Sequence, residues 1–163
     1  MPNTKNIKKG EKQRFENSFS VAGGDFNEAG RVSSRIKGIL RKMYLPPDVV
    51  RRAAICVYEA EMNIVCYATR GSITLSVEPD RVVIEAADEG AGIPDIDLAM
   101  QTGYSTATPR IREMGFGAGM GLGNINRYAD RFDITSEVGT GTRLVMIVDI
   151  DDSPTEGGGG GEA

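Results

Sequence analysis

Ser72-Ile73-Thr74-Leu75-Ser76-Val77-Glu78-Pro79-Asp80-Arg81-Val82-Val83-Ile84-Glu85-Ala86-Ala87-Asp88-Glu89-Gly90-Ala91-Gly92-Ile93-Pro94-Asp95 is the stretch from which the fold can be read. Ser72–Val77 and Arg81–Ala87 are rich in β-branched residues and flank a tight turn at Glu78-Pro79-Asp80, so they read as a hairpin. Upstream, residues 14–21 read as a short strand. Asp25 with Glu28 three positions on has the spacing of a helix start. Phe26, Ala29, Val32, Ile36, Ile39, Leu40 and Met43 then fall on one helical face. Pro46-Pro47 breaks the chain, and Asp48 is expected to cap a second helix running to about Thr69.

Downstream, a short helix is expected near Asp95–Thr102, then a Gly-rich stretch from Gly103 to Gly123, then a helix over Asn124–Asp130. A last hairpin pairs Phe132–Val138 with Thr142–Ile150 through Gly139-Thr140-Gly141. Hairpins beside a few helices argue for an α+β, two-layer sandwich: a mostly antiparallel mixed sheet with helices on one face.

The chain has 163 residues, a size that suits one domain. Residues 1–13 read as a flexible basic tail, 14–150 as the domain, and 151–163 as a disordered, acidic, Gly-rich tail. The net charge is −4, with Lys5, Lys8, Lys9, Lys12 and Arg14 gathered at the start. An acidic domain argues against nucleic-acid binding through counterion release, so the basic start reads as a solvated tail. No apolar run approaches the roughly 18 residues of a membrane span, and no signal-peptide core is present. The expected address is the cytoplasm.

Histidine is absent, which excludes Ser-His-Asp and Cys-His catalysis, imidazole metal sites and phosphohistidine. Cys56 and Cys66 sit ten apart in one expected helix, ~15 Å along its axis. That exceeds the Cα limit of about 7 Å for a disulfide, so they read as reduced core thiols.

Three segments carry chemistry. Glu59 and Asn63 lie four residues apart on one helical face, with Tyr67 a further turn along. Alone they read as a solvated polar stripe, but Ala53, Ile55, Cys56, Val57, Ile64 and Val65 make the helix apolar nearly all round. A carboxylate and an amide there need partners, which a bound metal and a reacting hydroxyl would supply. Asp88 ends a strand before Gly90 and Gly92, where a backbone can turn sharply and a ligand approach closely. An ordinary Asp/Gly turn would look the same.

The third segment runs Gly115-Phe116-Gly117-Ala118-Gly119-Met120-Gly121-Leu122-Gly123 into a helix, an arrangement suited to anions. No Gly-Lys-Ser/Thr follows, which excludes a Walker loop, and Thr106–Met114 is basic and loop-like, which excludes the dinucleotide fingerprint. Arg110 and Arg112 could reach phosphate oxygens from there, or belong to a solvated charged loop.

In this order the segments resemble the N, G1 and G2 boxes of the GHKL, or Bergerat-fold, ATPases over roughly residues 14–150. The chain looks most like the small bacterial anti-sigma-factor and stressosome switch serine/threonine kinases. That finer likeness rests on Glu59-x-x-x-Asn63 with Tyr67, Gly92-Ile93-Pro94-Asp95-Ile96, Gly103-Tyr104-Ser105-Thr106, Gly117-Ala118-Gly119, and Ser136-Glu137-Val138-Gly139-x-Gly141-Thr142. It departs at Ala107–Met114, a basic insert where the stressosome switch kinases pass almost directly from their Ser-Thr to the glycine run.

The resemblance implies ATP or ADP with Mg²⁺ as cofactors. Asn63 would hold the metal and Glu59 would act as catalytic base. Asp88 would bind adenine, with Gly90, Gly92 and Ile93 around it, Gly92 making room and Thr142 supporting the base. Gly117, Gly119 and Gly121 would form the lid over the phosphates. It further implies phosphorylation of a STAS-domain regulator, a sigma factor or PP2C-type phosphatase as alternate partner, and a homodimer. Two alternatives remain at this point. One is a nucleotide-gated binding module with little turnover. The other is a stand-alone histidine-kinase-type catalytic domain, which would need a separate histidine protein because this chain has none.

Overall fold

The computed structural model describes residues 15–101, 103–113 and 121–151. Five strands form one sheet: β1 (Phe15–Ala22), β2 (Ala68–Glu78), β3 (Arg81–Gly90), β4 (Arg131–Glu137) and β5 (Gly141–Asp149). Their order is β1-β2-β3-β5-β4, and every described pairing is antiparallel. The helices are α1 (Arg31–Lys42), α2 (Pro47–Tyr67), α3 (Ile96–Ala99), α4 (Pro109–Glu113) and α5 (Gly121–Tyr128). The α+β sandwich expected from the hairpin pattern is the architecture observed.

Alternation along the strands sorts the two faces. Ile73, Leu75 and Val77 of β2, Val82, Ile84 and Ala86 of β3, and Leu144, Met146 and Val148 of β5 are buried together. They meet Val50, Ala53, Val57, Ala60 and Ile64 of α2. Ile36 and Leu40 of α1 and Ile125 of α5 join this core. Each such side chain contributes about 1.5–3 kcal/mol by leaving water. On the opposite face, Arg143 of β5 pairs with Glu85 of β3 at 2.7 Å across an exposed ladder.

Element ends depart from expectation where long-range contacts replace local signals. The Asp25/Glu28 start is not used. Helix α1 begins at Arg31, behind Gly30, and its first amides donate to a carboxylate on another helix. Glu61 of α2, only 2% exposed, accepts from the Gly30, Val32 and Ser33 amides at 3.1, 3.0 and 2.9 Å. Phe26 and Ala29 still pack against the core although they precede the helix.

Asp48 is not the cap of α2 either. Pro46 holds that position, and Asp48 in the first turn pairs with Arg51 and Arg52, both at 2.9 Å. Strand β2 takes over at Ala68, so α2 ends at Tyr67 rather than Thr69. The helix expected over Asp95–Thr102 shrinks to α3, capped by Asp95 Oδ1 on the Leu98 amide at 3.0 Å. A turn of helix, α4, forms where a loop was expected, with Thr108 Oγ1 accepting from the Ile111 amide. Helix α5 starts at Gly121, before the expected Asn124.

Candidate functional site

A cleft of about 530 Å³ opens between α2, the end of β3 and the start of α5. Met62, Ile64, Ala86, Leu98 and Leu144 give it an apolar lining, while Glu59, Asn63, Asp88 and Thr142 bring polar groups into it. Few polar groups on an apolar wall is the usual composition of a small-molecule site. Of the residues named from sequence, Glu59, Asn63, Asp88, Gly90, Gly92, Ile93, Gly121 and Thr142 all border this one cleft. Gly117 and Gly119 lie outside the described residues.

Arg110 and Arg112 are not brought to it. Arg110 borders a shallower neighbouring cleft beside Thr108 and Ile111, and Arg112 donates to the Ser105 carbonyl oxygen at 3.4 Å. The folding of Pro109–Glu113 into α4 sets both guanidiniums in these positions.

The Asp88 end is built by two turns locked together. Gly92 has φ +76°, and a Cβ there would collide with the Glu137 carbonyl. The space this glycine leaves is therefore filled by the β4–β5 hairpin. Gly141, at φ +151°, lets the Asp88 backbone approach in the same way. The Gly139 amide donates to Ala91 O at 2.8 Å. Ser136 Oγ accepts from the Ile93 amide at 2.7 Å, and lies 3.2 Å from Gly141 O and 2.8 Å from Thr142 Oγ1. The Thr142 amide donates to Asp88 Oδ1 at 3.2 Å. Burial pushes the Asp88 carboxyl above its usual range, with the Thr142 amide opposing part of that rise.

At the other end, Glu59 and Asn63 project from successive turns of α2. Asn124 of α5 donates from Nδ2 to Glu59 Oε1 at 3.1 Å. A Cβ on Gly121 would stand 3.0 Å from Glu59 Oε2 and 3.6 Å from Asn63 Oδ1, so only glycine leaves these two atoms uncovered. The Asn63 side-chain carboxamide makes no hydrogen bond among the described residues. Tyr67, the next turn along, shares a hydrogen bond with Ser105 Oγ at 3.2 Å.

Ser136 and Asn124 are parts of the site that sequence reasoning did not assign. The signal for Asn124 is present, since Gly121 and Asn124 are three apart on a helix and must share a face. Ser136 opens the quoted motif that ends at Thr142, but its role was not readable, because its bond to the Ile93 amide spans 43 residues. Both cysteines are free, and burial pushes the Cys56 thiol up to about 12, which keeps it protonated and inert.

An antiparallel sheet under a helical layer, with an Asx-Gly turn and a helix-borne carboxamide meeting at one cleft, defines a class. Residues 49–152 match the family described as histidine kinase-, DNA gyrase B- and HSP90-like ATPases, and the chain belongs to that family. Within it, the chain is 35% identical over 100 residues to the serine/threonine-protein kinase RsbT of Bacillus subtilis (strain 168). That match covers 59% of this chain and 69% of the relative. It is 31% identical over 99 residues to an anti-sigma F factor of Clostridium acetobutylicum, covering 61% and 62% of the two chains. An anti-sigma F factor of Thermoanaerobacter sp. (strain X514) is 30% identical over the same shares. The chain thus spans under two-thirds of the length of these anti-sigma relatives. Among the described residues no helix is long and apolar enough to cross a membrane.

Proposed function

We propose that this chain is a Mg²⁺-dependent protein serine/threonine kinase of a partner-switching system, which transfers the γ-phosphoryl of ATP to a STAS-domain regulator. The observation that carries the reading is the pairing of Glu59 with Asn63 at one end of an apolar cleft whose other end is Asp88. At the Asp88 end the groups accept hydrogen bonds. With the Ser136 proton on Gly141 O, the Thr142 hydroxyl donates to Ser136 and keeps its lone pairs for a ligand. Acceptors on Asp88 and Thr142 match an exocyclic amine, as on adenine, better than a keto oxygen.

Asn63 suits magnesium. Its amide oxygen is a hard donor left without a partner among the described residues, and Mg²⁺ commonly takes only one or two protein ligands beside phosphate and water. When bound, that ion neutralises charge on the phosphate oxygens. Glu59 accepts the proton of the acceptor hydroxyl as its oxygen bonds to the γ-phosphorus. The bond from that phosphorus to the β–γ bridging oxygen breaks, and ADP leaves with the electron pair. The likeness to a serine/threonine-protein kinase supports the same chemistry, and the likeness to anti-sigma F factors supports a regulatory setting.

The test incubates the full chain with Mg²⁺, γ-labelled ATP and the STAS-domain proteins of its source genome, one at a time. The wild type is expected to label one of them. Glu59→Ala is expected to keep its ATP affinity by calorimetry and to lose transfer by about a hundredfold or more. Transfer by Glu59→Ala at the wild-type rate overturns the reading.

A further inference from the structure

We infer that Asn124 is a positioning residue for the Glu59 carboxylate, holding Oε1 so that Oε2 is the oxygen offered to the acceptor hydroxyl. The inference rests on the kinase reading above and adds a residue to it.

The two oxygens of Glu59 have different surroundings. Oε1 accepts the Asn124 Nδ2–H at 3.1 Å. Oε2 faces Gly121, which leaves it open where any side chain would stand 3.0 Å away. Gly121 and Asn124 are one turn apart at the start of α5, so a single helical face fixes one oxygen and clears the other. A glutamate on a helix surface otherwise samples several rotamers, and its terminal torsion, which sets the carboxylate plane, is soft. One directed hydrogen bond to a carboxylate is stronger than one between neutral groups and selects among those rotamers.

The position of α5 is itself determined by packing. Ile125, next to Asn124, is fully buried in the core, and Leu122 and Tyr128 pack against it. Arg52 of α2 bonds the Tyr128 carbonyl oxygen and Asp130, both at 3.1 Å, and so fastens the far end of α5 to the helix that carries Glu59. Asn124 therefore projects from a fixed base. A loosely held α5 would give the bond little orienting value.

Positioning rather than packing makes a distinct prediction. Asn124→Asp keeps the shape of the side chain, removes the donor and sets a carboxylate against Glu59. A packing role tolerates that change, whereas a positioning role does not. We expect Asn124→Asp and Asn124→Ala to lower kcat for phosphotransfer about tenfold or more, with KM for ATP and calorimetric ATP affinity within about twofold of wild type in the alanine variant. In a Glu59→Ala background, Asn124→Ala should cause no further loss, because the group it positions is gone. Independently of turnover, the side-chain amide signals of Asn124 in a ¹⁵N spectrum should move when Glu59 is replaced by alanine.

Wild-type rates in Asn124→Asp, additive losses in the double variant, or amide signals indifferent to Glu59→Ala overturn the inference and leave the kinase reading standing. A wild-type protein that binds ATP yet labels no STAS-domain protein overturns the kinase reading, and the Asn124 inference with it.

Discussion

At the Asp88 end of the cleft, two turns hold each other through bonds from Gly139 to Ala91, Ile93 to Ser136, Ser136 to Gly141, the Thr142 hydroxyl to Ser136, and the Thr142 amide to Asp88. At the other end, Glu59 takes one side-chain hydrogen bond among the described residues, from Asn124. The first end is fixed by backbone close approach before any ligand arrives, and such pre-organisation lowers the ordering term on binding. The second depends on one helix and one amide. On the proposed reading such a site separates its tasks: the rigid end would supply affinity and choice of base, and the adjustable end would supply reactivity. Substitutions at the two ends should therefore separate binding from transfer.

The largest break at the rigid end comes from Gly92→Ala. The residue sits at φ +76°, and the new Cβ meets the Glu137 carbonyl, a backbone atom that cannot swing aside. Either the Asp88 turn or the β4–β5 hairpin must move. We expect a loss of about 2–4 kcal/mol in chemical denaturation and ATP binding too weak for calorimetry. A milder test is Ser136→Ala, which leaves the Ile93 amide and the Gly141 carbonyl short of a partner. One lost hydrogen bond of this type costs about 1–3 kcal/mol. The expected outcome is a roughly tenfold rise in Kd for ATP, with the transfer rate at saturating ATP nearly unchanged. A proportional fall in kcat instead would show that the two ends are coupled.

Legibility in the sequence followed the range of the interactions. The β2–β3 hairpin was readable because its signals, β-branched runs and a Glu78-Pro79-Asp80 turn, are local. That eight residues named from sequence border one cleft was readable because each stands in a short motif, on one helical face or beside a glycine turn. The start of α1 was not, because its capping carboxylate, Glu61, arrives from about thirty residues away, and a glutamate between Glu59 and Asn63 reads as surface until α1 is docked on it. The placement of Arg110 and Arg112 was not legible for a related reason: Pro109 starts a turn of helix that sets one guanidinium in the neighbouring cleft and ties the other to Ser105. Asn124 and Ser136 act through partners that only the fold supplies.

The smallest effect sharpens the contrast most, because at Asp88 stability and binding respond to pH in opposite directions. Burial raises the Asp88 carboxyl in the folded state, so its charged form is disfavoured there relative to the unfolded chain. A group shifted this way supports the fold fully below its unfolded pKa, and that support is lost as pH rises through the raised folded pKa. Adenine recognition needs the charged acceptor, so ATP affinity should fall as pH drops through the same raised value, earlier than an ordinary aspartate would allow. Asp88→Asn keeps an oxygen for the Thr142 amide and removes the buried charge. Its ligand-free melting temperature at neutral pH should equal or exceed that of the wild type, its ATP affinity should be weaker, and the acidic fall in affinity should flatten. A variant less stable than wild type, with an unchanged pH profile, would show that Asp88 serves the fold and not the nucleotide. The partial exposure of this carboxylate keeps the change in stability small, and it is the opposite signs, read by thermal melts and calorimetry across one pH series, that decide the matter.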